Sequence, residues 1–161
     1  MFMKNESNSN KEQDFEMMNL QLEALLKDEK NKLANLSNAT ALLNSYLIDI
    51  NWVGFYILDD KDILVLGPFQ GLPACTRINI GKGVCGHAAL TKKTIVVPDV
   101  HQFVGHIACD TNSNSEIVIP ILKDNNLVGV LDIDSPLINR FDEIDQHYLE
   151  IAAKIITKYG F

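Results

Sequence analysis

The fold class follows from residues 116–134, which read EIVIPILKDNNLVGVLDID. Two runs rich in β-branched and other apolar residues, 116–122 and 127–134, predict β-strands, because such residues pack well on a pleated surface. The residues between them, Lys-Asp-Asn-Asn at 123–126, are typical of a tight turn. The segment therefore predicts an antiparallel β-hairpin, around which the other elements can be arranged.

Shorter elements are predicted between this hairpin and the N-terminal part of the chain. Residues 99–115 are polar and lack periodicity, and a long loop of this kind is often functional in a compact domain. The predicted elements are strands at 52–58, 63–67, 74–80 and 94–97, a hairpin loop at 59–62, a short helix at 84–91 entered through 81–83, and the loop at 99–115.

Helical periodicity marks both ends of the chain. Apolar residues recur at helical spacing from residue 15 to 26 and again from 33 to 50, with Asp28 as the expected N-cap of the second helix. A third helix is expected from about residue 142 to 157, capped by Asp142.

Helices at both ends of an antiparallel sheet predict the α+β class. We expect a single domain over residues 13–161, with the N- and C-terminal helices packed on one face of the sheet. Residues 1–12, which are rich in Asn, Ser and Lys, are expected to form a flexible leader.

Charge and hydropathy exclude several classes of protein. The chain of 161 residues carries 14 Lys+Arg against 21 Asp+Glu, a formal charge of −7, which disfavours nucleic acid and anionic membrane surfaces as partners. No apolar run approaches the roughly 20 residues that a membrane-spanning helix needs. The N-terminus lacks the apolar core of a signal peptide, so a cytoplasmic location is expected.

Three cysteines therefore need an explanation other than a structural disulfide set, since the cytoplasm keeps thiols reduced. Each can be a small buried hydrophobe. However, Cys85 opens the predicted short helix, whose N-terminal amides would favour a thiolate, and Cys109 follows His106 in the long loop. The spacing of Cys75, Cys85 and Cys109 fits a zinc site poorly, even with His101 and His106 added, so no metal site is predicted.

Acidic residues converge at one end of the predicted hairpin. Asp132 and Asp134 differ by two positions and share a face of their strand, and Glu116 opens the strand opposite. They are either solvated strand ends or a binding site for a ligand with an ammonium group. Trp52 and Tyr56 share a face of the first strand, where they form part of the core or line a pocket for an apolar or thioether group.

Taken together, these segments resemble the free methionine-(R)-sulfoxide reductases, which are built on a GAF fold. The sequence departs from that family at Val104, where proline is expected before Gly105. The resemblance rests on the segments NWVGFY at 51–56, LGPFQG at 66–71, ACTRI at 74–78, GKGVCG at 81–86, DVH at 99–101, GHIACD at 105–110, SNSEIV at 113–118 and GVLDIDSP at 129–136.

The resemblance implies a role for each of these groups. Cys109 would be the nucleophile, with Cys85 as the first candidate for the resolving thiol and Cys75 as the second. By the same resemblance, Glu116, Asp132 and Asp134 would bind and polarise the substrate, and Trp52 and Tyr56 would flank its methylthio end. The N-terminal amides of the predicted short helix, at Val84, Cys85 and Gly86, are expected to hold the substrate carboxylate.

The implied reaction is thiolate attack by Cys109 on free methionine-(R)-sulfoxide while Asp134 or Glu116 donates a proton. The resulting sulfenic acid becomes an intramolecular disulfide, which thioredoxin and its NADPH-dependent reductase would reduce, with no bound cofactor. The assembly state stays open, and a homodimer is one option. Two alternatives are a GAF module that senses a small ligand without redox turnover and a zinc-dependent hydrolase.

Overall fold

The computed structural model describes residues 10–59, 61–105 and 110–161. None of the helices in these ranges combines the length and the hydropathy needed to span a bilayer. The elements in chain order are α1 (Lys11–Leu26), α2 (Lys32–Tyr46), β1 (Trp52–Leu58), β2 (Ile63–Gln70), β3 (Arg77–Asn79), α3 (Gly83–Thr91), β4 (Ile95–Val97), a 3-10 turn (Val100–Gln102), β5 (Ser115–Lys123), β6 (Asn126–Ser135) and α4 (Glu143–Gly160).

The strands form a six-stranded antiparallel sheet in the order β3-β2-β1-β6-β5-β4. The predicted hairpin of β5 and β6 is confirmed, and its register pairs Glu116 with Asp134 and Val118 with Asp132. On the other side of β6, Gly54 of β1 pairs with Asp132. The acidic end of the hairpin therefore lies inside the sheet rather than at its edge.

Each face of the sheet is covered by helices. Alternating side chains such as Phe55, Ile117 and Leu131 pack with α1, α2 and α4 on one face, whereas Tyr56, Val118 and Val130 pack with α3 on the other. This arrangement follows from the two-residue period of strands, which sends neighbours to opposite faces. The predicted α+β class and the packing of the terminal helices on one face are confirmed.

Several element ends differ from the sequence-based expectation. The N-cap of α2 is Asn31 instead of Asp28, because the Asn31 side chain accepts a hydrogen bond from the amide of Ala34. The strand predicted at 74–80 is limited to Arg77–Asn79. The Asp142 cap of α4 is confirmed as a capping box with Asp145.

Helix α1 begins at Lys11, inside the segment predicted as a flexible leader. The Lys11 ammonium contacts Asp142 at 2.8 Å and the fully buried Asp145 at 2.7 Å. Arg140 contacts the other oxygen of Asp145 at 3.0 Å. Two cations thus compensate one buried carboxylate and join the start of α1 to the start of α4.

Candidate active site

A pocket lies between the N-terminus of α3 and the sheet, on the face opposite to α1, α2 and α4, with an empty volume of about 390 Å³. The sequence-predicted residues in its wall are Tyr56, Val84, Cys85, Glu116, Asp132 and Asp134. The wall also contains Asp110 and Ser113, which precede β5. Residues remote in sequence therefore meet here because β1, β5, β6 and α3 converge.

The three carboxyl groups form one cluster in this pocket. Glu116 and Asp132 are only 5% and 6% exposed, so the interpretation as solvated strand ends is wrong for them. Asp134 is half-buried at the rim. Within the described part of the chain, Oδ1 of Asp132 is buried without a hydrogen-bond partner, which is a costly state unless a ligand satisfies it.

The pKa values of the three carboxyl groups are raised to different extents. Burial, reinforced by the neighbouring carboxylates, holds the pKa of Glu116 and the pKa of Asp134 well above the usual range. Burial also raises the pKa of Asp132, but hydrogen bonds from Cys85 and Glu116 limit the increase to about 6. Asp132 is therefore the member of the cluster that ionises most readily, and Glu116 and Asp134 hold their protons more tightly.

This arrangement makes the stability of the protein pH-dependent. An unfolded aspartate has a pKa of about 3.9, whereas the folded pKa of Asp132 is about 6. The folded state therefore binds the proton more tightly, and stability is lost as pH rises from the unfolded pKa through the folded one. We expect Asp132→Asn to raise the melting temperature relative to wild type more at pH 8 than at pH 4.

The measurement is thermal denaturation followed by circular dichroism at both pH values. Asp124→Asn, in the exposed turn between β5 and β6, is the matched control and should show no such change. A difference between Asp132→Asn and wild type that is the same at both pH values would contradict the assigned protonation states.

Cys85 is a buried thiol on the first turn of α3. The expectation that helix amides favour its thiolate is wrong. Burial is the largest effect on the Cys85 pKa and raises it well above its usual range, and the negative charges of Asp132 and Glu116 add to the increase. Desolvation and like charge outweigh the helix dipole, which is partial and short-ranged.

Cys75 differs from Cys85 in its bonding state. Cys75 is disulfide-bonded and half-buried, whereas Cys85 is a free thiol among the residues that the structure describes. The Tyr56 hydroxyl, at the pocket wall, donates a hydrogen bond of 3.0 Å to the carbonyl of Cys75. Cys109, the candidate nucleophile, and His106 lie outside the described residues.

The N-terminus of α3 faces the pocket with Gly83, Val84 and Cys85. The amide of Gly86 donates to the carbonyl of Lys82 at 3.0 Å, so it is already used, contrary to expectation. The amides of Val84 and Cys85 precede that first helical bond, and helix geometry gives them no acceptor within α3. These two amides are the groups that can bind an anion.

Trp52 is not among the residues that line the pocket, but it packs against the lining residue Tyr56. Its ring is 2% exposed and stacks on Tyr56, with centroids 6.0 Å apart, and on Phe69, with centroids 5.3 Å apart. Its indole N–H donates to the carbonyl of Leu72 at 3.1 Å. These contacts hold Trp52 in place, and Trp52 in turn orients Tyr56, which lines the pocket.

Asn51 was not identified as a site residue from the sequence. Its side-chain amide donates to Asp110 at 2.9 Å and to Ser113 at 3.0 Å, and so ties the segment after Cys109 to the start of β1. Its backbone amide donates to the carbonyl of Asp134. The only sequence signal is a polar residue directly before a buried strand, which is too common to indicate a function.

The chain shares its family and fold with characterised proteins. The GAF domain family matches residues 36–158. The chain is 50% identical over 147 residues to the free methionine-R-sulfoxide reductase of Escherichia coli, covering 91% of this chain and 88% of that protein. It is 48% identical over 159 residues to the Saccharomyces cerevisiae protein of the same name, covering 94% and 88%.

The fold of the chain also matches that of a solved structure. The free methionine-R-sulfoxide reductase of Neisseria meningitidis, solved in complex with its substrate, superimposes with a TM-score of 0.94 at 44% identity. The alignment covers 99% of this chain and 96% of that one.

Proposed function

Because the chain belongs to the free methionine-(R)-sulfoxide reductase family of GAF domains, we propose that it reduces free methionine-(R)-sulfoxide to methionine. The observation that carries the proposal is a single pocket with a buried carboxylate cluster and the open N-terminus of α3 in its wall. A free amino acid has an ammonium and a carboxylate on one carbon, and the pocket has a complementary group for each.

The ammonium group binds the acidic cluster. Asp132 carries the charge, and its unpartnered Oδ1 accepts a hydrogen bond from the ligand within a site that water reaches poorly. The carboxylate accepts hydrogen bonds from the amides of Val84 and Cys85. Methionine sulfoxide inside a peptide chain lacks both charges, so the same pocket discriminates against it.

The chemical step needs a nucleophile and a proton donor. The Cys109 thiolate attacks the sulfoxide sulfur, and the oxygen leaves methionine as the sulfenic acid of Cys109. Asp134 or Glu116 donates a proton to that oxygen, since burial raises the pKa of each and favours its protonated form. The sulfur of the substrate is reduced and the sulfur of Cys109 is oxidised, so the electrons balance.

We assign the resolving thiol to Cys75 in preference to Cys85. Cys75 is disulfide-bonded, whereas Cys85 stays a free, buried thiol whose raised pKa makes it a poor nucleophile. The Cys75 thiol attacks the sulfenic acid, releases water and forms a disulfide. Thioredoxin then reduces this disulfide by thiol exchange, recycled by its NADPH-dependent reductase. This scheme needs no bound cofactor.

The substrate assignment is tested by methionine release from purified protein with thioredoxin, its reductase and NADPH. We expect turnover of the free R epimer and at least about 10²-fold lower kcat/KM for sulfoxide within a peptide, because the polar groups that bind the ammonium and carboxylate would be left unpaired. We expect a similar loss for the S epimer, because inversion at sulfur moves its oxygen away from the proton donor. Equal turnover of either competitor would refute the assignment. Binding of the free amino acid without any turnover would favour the ligand-sensing alternative.

A further inference from the structure

Cys85 is a buried nucleophilic group that the proposed reaction does not use. It lies in the pocket wall next to Glu116 and Asp132, and the structure brings one ligand atom from each to within 4.8 Å of the others. All three residues are buried. Metal-ligand spacing in the sequence does not predict this set, because its members come from α3, β5 and β6.

We propose that Cys85, Glu116 and Asp132 form a binding site for Zn²⁺, and that the ion competes with the amino acid substrate. Zinc accepts cysteine sulfur and carboxylate oxygen as ligands, with bonds of about 2.3 Å and about 2.0–2.2 Å. The ligand atoms lie within 4.8 Å of one another, so small side-chain shifts bring all three to one ion. Three protein ligands leave a coordination position open, as in accessible zinc sites.

The unpartnered Oδ1 of Asp132 also indicates a ligand in this cluster. This atom is buried in the pocket wall and has no hydrogen-bond partner among the described residues, so it requires a cation or a donor from outside the chain. The ammonium group of the substrate is one such cation. A divalent ion is another. Unlike the ammonium group, it also forms a strong bond to the sulfur of Cys85.

Coordination needs no oxidant or reductant. The Cys85 thiol and the Glu116 carboxyl group release their protons to solvent, and lone pairs of the resulting thiolate and carboxylate form the bonds to zinc beside the Asp132 carboxylate. The site persists when Cys75 is disulfide-bonded, because Cys85 is then still a free thiol. Zinc would therefore occupy the resting protein in either redox state and leave when substrate displaces it.

The probe is Co²⁺, whose bond to a thiolate gives a charge-transfer absorption band. Reduced Cys75 and Cys109 could bind a metal by themselves, so the titration uses the double variant Cys75→Ser/Cys109→Ser, in which Cys85 is the remaining cysteine of three. We expect the band to saturate at one Co²⁺ per chain. Adding Cys85→Ser, the matched control, should abolish it, and adding Glu116→Gln should weaken binding at least about tenfold.

Competition is tested on the same double variant. Methionine should displace Co²⁺ and remove the band, whereas the methionine analogue that lacks the amino group should not. Absence of the band in a variant with wild-type circular dichroism would overturn the zinc site. If the double variant fails to fold, the test is calorimetric titration of oxidised wild type with Zn²⁺, because Cys75 is then disulfide-bonded and Cys85 is a free thiol. Loss of zinc binding with saturating methionine supports competition, and unchanged binding overturns it.

The competition between zinc and substrate rests on the proposed function, but separate measurements test the zinc site and the reductase activity. Reductase activity is measured in chelator, where zinc is absent, and the cobalt band is measured without turnover. A protein that is active in chelator but gives no band has the proposed function and lacks the zinc site. A protein with the band but no activity has the site, while the proposed reaction is wrong.

Discussion

Replacing Cys109 with serine is expected to abolish methionine formation even when each molecule needs to react only once. Without the thiolate no sulfenic acid can form, and loss of the nucleophile in covalent catalysis removes at least about 10³-fold of the rate. The measurement mixes reduced protein with a stoichiometric amount of free methionine-(R)-sulfoxide and quantifies methionine after quenching. A Cys109→Ser protein that still releases methionine would exclude Cys109 as the nucleophile.

The other cysteines provide matched controls in the same assay. Cys75→Ser should release about one methionine per chain and then stop, because a resolving thiol acts only after the first step. Cys85→Ser should still form the intramolecular disulfide, detectable by mass spectrometry. If Cys85→Ser instead blocks the disulfide and Cys75→Ser permits it, the resolving role belongs to Cys85, as the family resemblance first suggested.

Asp134→Asn is expected to lower kcat by about 10²–10⁴-fold, the usual contribution of a positioned general acid. Burial and the charges of Asp132 and Asp110 raise the pKa of Asp134 well above its usual range, which favours the protonated form that a general acid needs. An amide can still donate a hydrogen bond to the sulfoxide oxygen but cannot transfer a proton. The affected quantity is the maximal single-turnover rate, measured at saturating substrate.

Asp132→Asn is the matched comparison, because it removes the ionised member of the same cluster. We expect it mainly to raise KM, since the ammonium loses its charged partner before and during the reaction alike. Glu116→Gln tests whether the proton comes from Glu116 instead, in which case its kcat falls and that of Asp134→Asn does not. If all of these variants keep wild-type single-turnover rate and affinity, the cluster takes no part in the reaction.

The sequence predicted which helices and strands form more accurately than where each one begins and ends. Alternation in residues 116–134 was enough to predict the central hairpin and to place both aspartates on one face, because a strand has a fixed two-residue period. The N-cap of α2 was misplaced, since Asp28 and Asn31 are both capping residue types and the choice depends on where the turn closes. Asp142 was placed correctly, and Asp145 completes a capping box with it.

The sequence by itself determined the fold class, the single domain and the residue types that gather at the acidic end of the hairpin. Local periodicity and turn chemistry carry that information. Tertiary structure alone decided the protonation of the cluster, the raised pKa of Cys85 and the approach of Cys85 to Glu116 and Asp132. Burial and the distance between charges set these properties, and both arise only when α3 packs on the sheet.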